Sequence, residues 1–211
     1  MIVFAEIRRL SFSADGSCAF ITFSLPGGAE EELCLLFEVY TAHVRGRCRF
    51  TEEEYSSIKD MEEYSRAVLA GLRSLACTFS TRAELDRKLR AKRFSQRARE
   101  GAINYFCERG YIKEKEIMVR EIKACLRKKY GPLRIKRRLI SRGFSSAMTE
   151  KGMQKLCGYD FTSVCLALAK KKAETLLLTD GWQRRMYSYL SSLGYAASDI
   201  NYAVRSVEDE L

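Results

Sequence analysis

Two runs of cationic side chains carry most of the chemistry this sequence offers. Arg87, Lys88, Arg90, Lys92 and Arg93 fall within seven residues, and Arg127, Lys128 and Lys129 are followed by Arg134, Lys136, Arg137, Arg138 and Arg142. Residues 81–151 hold 22 basic and eight acidic side chains, an excess of 14, whereas the whole chain carries +10. Residues 1–60 are acidic, with six basic against ten acidic groups. Residues 61–80 and 152–211 balance. A cationic segment this concentrated attracts a polyanion, with binding that weakens steeply as salt rises. No Asn or Gln stands within either run, so base-specific readout is not indicated. A purely local role also exists for Arg127–Lys129, because cations suit the negative end of a helix dipole. Lys170-Lys171-Lys172 reads as the polar face of a helix.

Catalytic constellations are missing. His43 is the only histidine and has no nucleophile motif near it, so Ser/His/Asp chemistry has no footing. Neither G-x-G-x-x-G nor G-x-x-x-x-G-K-[ST] occurs, and the few carboxylates within 81–151 do not assemble a two-metal site. The cysteines, at 18, 34, 48, 77, 107, 125, 157 and 165, contain no C-x-x-C pair, which disfavours structural zinc. Cys107 beside Phe106 and Cys125 beside Leu126 read as small apolar fillers in a reducing compartment. The expectation is a non-enzyme with no catalytic residue, metal or cofactor. No run approaches the ~18–20 apolar residues of a membrane span. Met1–Leu10, interrupted by Glu6, Arg8 and Arg9, lacks the order of a signal peptide, so a cytoplasmic protein is expected.

The elements that hold the cations are of two kinds. Val3–Phe12, Cys18–Ser24 and Glu31–Leu36 read as strands joined at Asp15-Gly16 and Pro26-Gly27-Gly28, with Ala19, Ile21 and Phe23 on one face. So small a sheet needs a helical cover, for which Phe37–Val44 and Thr51–Ile58 are nearest. Beyond about residue 62 the pattern is helical and repeats. Glu84–Phe94 aligns with Arg134–Phe144 at an offset of 50, and more faintly with Arg185–Tyr195 at 51. Each copy has an apolar pair four apart, then an aromatic five residues on, with serine next except for one alanine. A period near 50 means stacked multi-helix units.

Each unit reads as a lead helix (62–77, 113–129, 160–178), a short middle helix (82–93, 132–142, 181–193) and a third (95–109, 146–156, 197–207). Thr81 and Glu84 form a capping box, Pro132 suits a first turn, and Asp180 is a candidate cap. Gly143 and Gly194 suit left-handed helix ends, and Ser95, Ser145 or Ser146, and Ser198 suit the next starts. Leu133, Ile135 and Leu139 form an inward face, leaving Arg134, Lys136, Arg137, Arg138 and Arg142 largely outward. Trp182, the only tryptophan, reads as an apolar anchor between helices or, less favourably, a base-stacking platform. The expected fold is mainly α: three tandem three-helix repeats in an elongated curved array, with a small N-terminal antiparallel β piece. The expected divisions are 1–60, 61–112, 113–158 (the basic repeat) and 159–211. Basic helices on adjacent repeats would then share one positive surface.

Glu84-Leu85-x-x-Lys88-Leu89-x-x-Lys92-x-Phe94, Glu108-Arg109-Gly110-Tyr111-Ile112 and Tyr130-Gly131-Pro132-x-x-Ile135-x-x-x-Leu139-x-x-Arg142-Gly143-Phe144 resemble the RecX family. The resemblance covers about residues 64–207, and the Tyr-Gly-Pro-x-x-Ile segment is its most specific part. Lys113-Glu114-Lys115-Glu116 stand where the family usually places acidic residues, and residues 145–180 match weakly. The resemblance implies a regulator of homologous recombination and DNA repair that binds in the groove of the RecA–DNA filament. It implies inhibition of filament growth, strand exchange, ATP hydrolysis and co-protease activity. The implied partners are the RecA filament and single- or double-stranded DNA, within it or directly, met by a monomer and no membrane. The alternative is a direct DNA-binding transcription regulator of helix-turn-helix type. A purely structural helical-repeat adaptor is a third reading.

Overall fold

A computed structural model describes residues 3–176 and 181–210. The first elements are β1 (Ala5–Phe12), β2 (Cys18–Ser24), β3 (Glu30–Leu36), α1 (Phe37–His43) and β4 (Arg49–Phe50). There follow α2 (Glu52–Cys77), α3 (Arg82–Ala91), α4 (Gln96–Glu108), α5 (Glu114–Arg127) and α6 (Pro132–Ser141). Then come α7 (Ser146–Gln154), α8 (Phe161–Leu176), α9 (Trp182–Leu193) and α10 (Ala197–Glu208). The chain divides after Ile112 into two compact units, the sheet with α1 to α4, and α5 to α10.

In the first unit β1 turns into β2 around Asp15, whose Oδ1 accepts from the Ser13 hydroxyl at 2.6 Å and the Ser17 amide at 3.1 Å. The sheet runs β3-β2-β1-β4, antiparallel throughout. Alternation along β2 sends Ala19, Ile21 and Phe23 into a core with Tyr40 and Val44 at α1 and Tyr55 and Ile58 of α2. Both expected covers are therefore used. Cys18 and Phe20 face the other way, toward Ala67 and Val68 of α2 and Phe106 of α4. β4, a two-residue pairing beside Ala5 and Glu6, is too short to be read from sequence.

α2 is one helix where the sequence suggested an acidic cover and a separate lead helix from 62. Thr51 and Glu54 form a capping box at its start, with the Thr51 amide donating to Glu54 Oε2 at 2.9 Å. No Gly or Pro stands between 52 and 70 to stop it. Its first turns cover the sheet and its later turns belong to the first helical repeat.

The three repeats are α2–α4, α5–α7 and α8–α10. Leu85 and Leu89, Ile135 and Leu139, and Met186 and Leu190 are all fully buried or nearly so. Truncating one such side chain to alanine costs about 2–5 kcal/mol. Each middle helix closes in the same way. The amides of Arg93, Gly143 and Gly194 donate to Arg90, Ile140 and Ser191 carbonyls at 2.9, 2.8 and 2.9 Å. The next amides, of Phe94, Phe144 and Tyr195, reach back to Leu89, Leu139 and Leu190 at 3.4, 3.3 and 3.3 Å. This is the Schellman closure, with a left-handed residue at its corner.

The helix starts follow the repeat as well. Thr81 and Glu84 make their box, and Ser95 and Ser145 accept the amides of Ala98 and Met148, each at 3.3 Å. Ser198 is not a cap. The equivalent position is Ala196, which leaves α10 without a side-chain cap. α5 likewise starts uncapped at Lys113. Asp180 and residues 177–178 lie outside the described residues. Trp182 is partly buried against the third repeat's core. All the cysteines are free thiols; Cys18, Cys125 and Cys165 are buried, and Cys48, Cys77 and Cys157 are exposed.

Candidate functional site

The two units hold their cations differently, and each is described by itself. In α3 burial of Leu85 and Leu89 fixes the rotation, which leaves Arg87, Arg90, Lys92 and Arg93 on the exposed side. Arg87 Nε donates weakly to the Ala83 carbonyl at 3.4 Å. Lys88 is exposed as well, but it is engaged within the chain. Its ammonium donates to the hydroxyls of Ser74, Thr78 and Ser80 at 3.0, 2.9 and 2.9 Å, using its full set of donors to tie the end of α2 to α3. Arg90, Lys92 and Arg93 make no ion pair and no side-chain hydrogen bond among the described residues. Arg93 occupies the left-handed corner at φ +65°, the position Gly143 and Gly194 hold in the other repeats.

In the second unit α5 ends in the same closure. Lys129 takes φ +55° at the corner, its amide donating to the Leu126 carbonyl at 2.9 Å. The side chains of Arg127, Lys128 and Lys129 are exposed and without ion pairs or side-chain hydrogen bonds among the described residues. They gather at the negative end of the α5 dipole.

α6 divides its cations. The buried Glu121 of α5 binds two of them, Oε1 taking Arg138 Nε at 2.6 Å and Oε2 taking Arg142 Nη1 at 2.6 Å. Burial pushes the Glu121 carboxyl up, but the hydrogen bonds and charges of Arg138 and Arg142 outweigh it and hold the group below its usual range. Arg134 lies over the Tyr130 ring at 4.0 Å and donates to the Ser192 carbonyl at 2.9 Å. Lys136 and Arg137 remain on the solvent face, Arg137 with one weak bond to the Leu133 carbonyl at 3.4 Å. Beside them stand Leu133 and Ile140, 51% and 54% exposed. Leu133 is thus outward, contrary to the expectation from spacing: Ile135 and Leu139, four apart, already fill the core.

The turn before α6 is held by the third repeat. The amides of Gly131 and Leu133 donate to the carbonyls of Leu193 and Gly194 at 2.9 and 3.0 Å, and the Tyr195 hydroxyl donates to the Lys129 carbonyl at 2.8 Å. Orphan donors at the start of one helix meet orphan acceptors at the end of another. The tolerance for Pro132 follows, since its missing N–H is not needed there.

In the third repeat Lys170 pairs with Glu210, and Lys172 sits over the Tyr189 ring at 5.8 Å. Among the described residues no three His, Cys, Asp or Glu side chains group as metal ligands would. No described helix is long and apolar enough to cross a membrane. The arrangement therefore offers exposed guanidinium and ammonium groups at the ends of α3 and α5 and on α6, suited to phosphate or carboxylate partners.

No protein-family model matches the chain. A regulatory protein RecX of Escherichia coli (strain K12) is 29% identical over 157 residues, covering 69% of this chain and 94% of that protein. The same values hold for a regulatory protein RecX of Salmonella paratyphi A (strain ATCC 9150 / SARB42). A crystal structure of a regulatory protein RecX matches with a TM-score of 0.75 at 13% identity, covering 94% of this chain and 98% of that one. A crystal structure of RecX from Lactobacillus salivarius matches with a TM-score of 0.60 at 19% identity, covering 69% and 97%. These two likenesses concern the fold alone. With its Schellman-closed repeats and the Tyr130-Gly131-Pro132 turn, the chain is similar in sequence and in fold to the regulatory proteins RecX.

Proposed function

We propose that this chain is a RecX-type regulator that acts on the RecA–DNA filament by binding, without catalysing a reaction. The relatives it matches bear the name of regulatory proteins, which supports the regulator reading. The observation that carries the finer reading is the set of cations with no internal counter-charge among the described residues: Arg90, Lys92 and Arg93 at the end of α3, and Arg127, Lys128 and Lys129 at the end of α5. In this reading they meet phosphates or carboxylates of the filament, together with Lys136 and Arg137. Bound there as a monomer in the cytoplasm, the protein limits filament growth and so suppresses strand exchange, ATP hydrolysis and co-protease activity. Lys88 supports the fold alone, while Arg134, Arg138 and Arg142 support the fold first and contribute to binding through the field they add.

The test is RecA-catalysed strand exchange and DNA-dependent ATP hydrolysis with substoichiometric amounts of this protein and of an R90E/K92E/R93E variant. The wild type is expected to inhibit and to co-sediment with filaments, and the variant to lose most of both. Its salt dependence should flatten by about one unit of slope for each phosphate contact removed. No inhibition and no co-sedimentation by the wild type overturns the reading. Sequence-selective duplex binding without RecA would move the assignment to a transcription regulator.

A further inference from the structure

The sheet of the first unit has an edge that nothing in the binding of polyanions uses. β1 pairs with β2 along its length, but β4 matches it only at Ala5 and Glu6, and the Ile7 amide donating to the Cys48 carbonyl at 2.9 Å extends that side by one residue. From Arg8 to Phe12 no backbone pairs the second edge among the described residues. All five of these residues are exposed. A strand with one buried face would hide alternate side chains. Leu10 and Phe12 stand opposite Ile21 and Ala19, both fully buried, yet are themselves 40% and 48% exposed. Beside them Phe37, 44% exposed, and Tyr40 place their rings 5.9 and 5.5 Å from that of Phe12.

We propose that this edge of β1 takes up an extended acidic segment of a partner protein as an added strand. A free strand edge offers alternating N–H and C=O groups, which another peptide backbone complements; a phosphodiester chain offers acceptors only. The incoming strand would cover Leu10, Phe12 and Phe37 with its apolar side chains. Charge selects the partner. Arg8, the extra residue of the bulge between Ile7 and Arg9, and Arg9 itself make no ion pair or side-chain hydrogen bond among the described residues. Carboxylates on the incoming strand satisfy both. A second copy of this chain pairing edge to edge would bring arginines against arginines, which is unfavourable.

The probe is a fluorescein-labelled Glu-Val-Glu-Val-Glu-Val-Glu peptide, titrated into the full chain with anisotropy as the readout. The expected result is saturable binding, weakened about tenfold or more by R8E/R9E and by Phe12→Ser, since charge and apolar cover both contribute. The variants' thermal midpoints check their folding. N-methylation of alternate peptide amides should abolish binding, because it removes backbone donors while leaving the side chains. The proposal is overturned if the peptide fails to bind, or if the N-methylated peptide binds equally well. It is also overturned if oligo-dT displaces the peptide from this edge, or if sedimentation shows a dimer that R8E/R9E dissolves.

Discussion

Gly131 and Gly194 approach so closely that a Cβ on Gly131 would lie 2.4 Å from the Gly194 carbonyl carbon. Gly131 has φ −73° and ψ 166°, a conformation alanine adopts without strain. A Gly131→Ala effect would therefore be steric. Forcing the two backbones apart should destabilise the second unit by about 2–3 kcal/mol. Urea unfolding followed by far-ultraviolet circular dichroism measures it, and an unchanged midpoint would show that the turn yields freely.

Lys88→Met should separate stability from binding. Removing the ammonium leaves the hydroxyls of Ser74, Thr78 and Ser80 without their shared donor. The expected loss is about 1–2 kcal/mol. The salt dependence of polyanion binding should stay as in the wild type. A flattened salt slope with unchanged stability would instead make Lys88 a contact residue.

Glu121 predicts a pH response. Its carboxyl is held below the ordinary value of 4.5 by Arg138 and Arg142 despite its burial. The stability it supplies is therefore present above that value and is lost as pH falls through the lower folded one. Between about pH 5 and 3 the wild type should lose stability more steeply than a Glu121→Gln chain. That variant should already be weaker at pH 7 by roughly 2 kcal/mol, since it leaves two arginines without their counter-charge. Denaturant midpoints across the pH series decide it. Parallel curves for the two proteins would remove Glu121 from the account.

Arg93→Gly should move stability and binding in opposite directions. Arg93 sits at φ +65°, where a side chain costs roughly 1–2 kcal/mol. Glycine relieves that strain but loosens the unfolded chain, for an expected net gain of about 0.5–1 kcal/mol. Losing the guanidinium should at the same time weaken binding to filaments or oligonucleotide. Thermal unfolding and anisotropy on the same preparation check both signs.

Local signals and long-range ones differed in how well they could be read. Thr81 with Glu84, Ser95, Ser145 and Gly143 mark helix ends because capping depends on residues three or four apart, which the sequence displays directly. The pairs Leu85/Leu89, Ile135/Leu139 and Met186/Leu190 are legible for the same reason. Counting charge along the chain could not distinguish Arg138 and Arg142 from Arg90. Their partner, Glu121, lies 17 and 21 residues upstream and meets them only through packing of α5 on α6. Lys88 was hidden likewise, its hydroxyl partners lying on α2 and the segment after it. Arg93 at a glycine position was readable from the repeat alignment, which sets it against Gly143 and Gly194.

The start of α6 rests on the end of α9, so the second and third repeats share their terminal hydrogen bonds. A chain clipped ahead of α9 would expose the Gly131 and Leu133 amides and free the Lys129 carbonyl. Such a fragment is a damaged module, not a shorter array. Melting of the second unit should accordingly be one event spanning both repeats, although tandem modules are often separable.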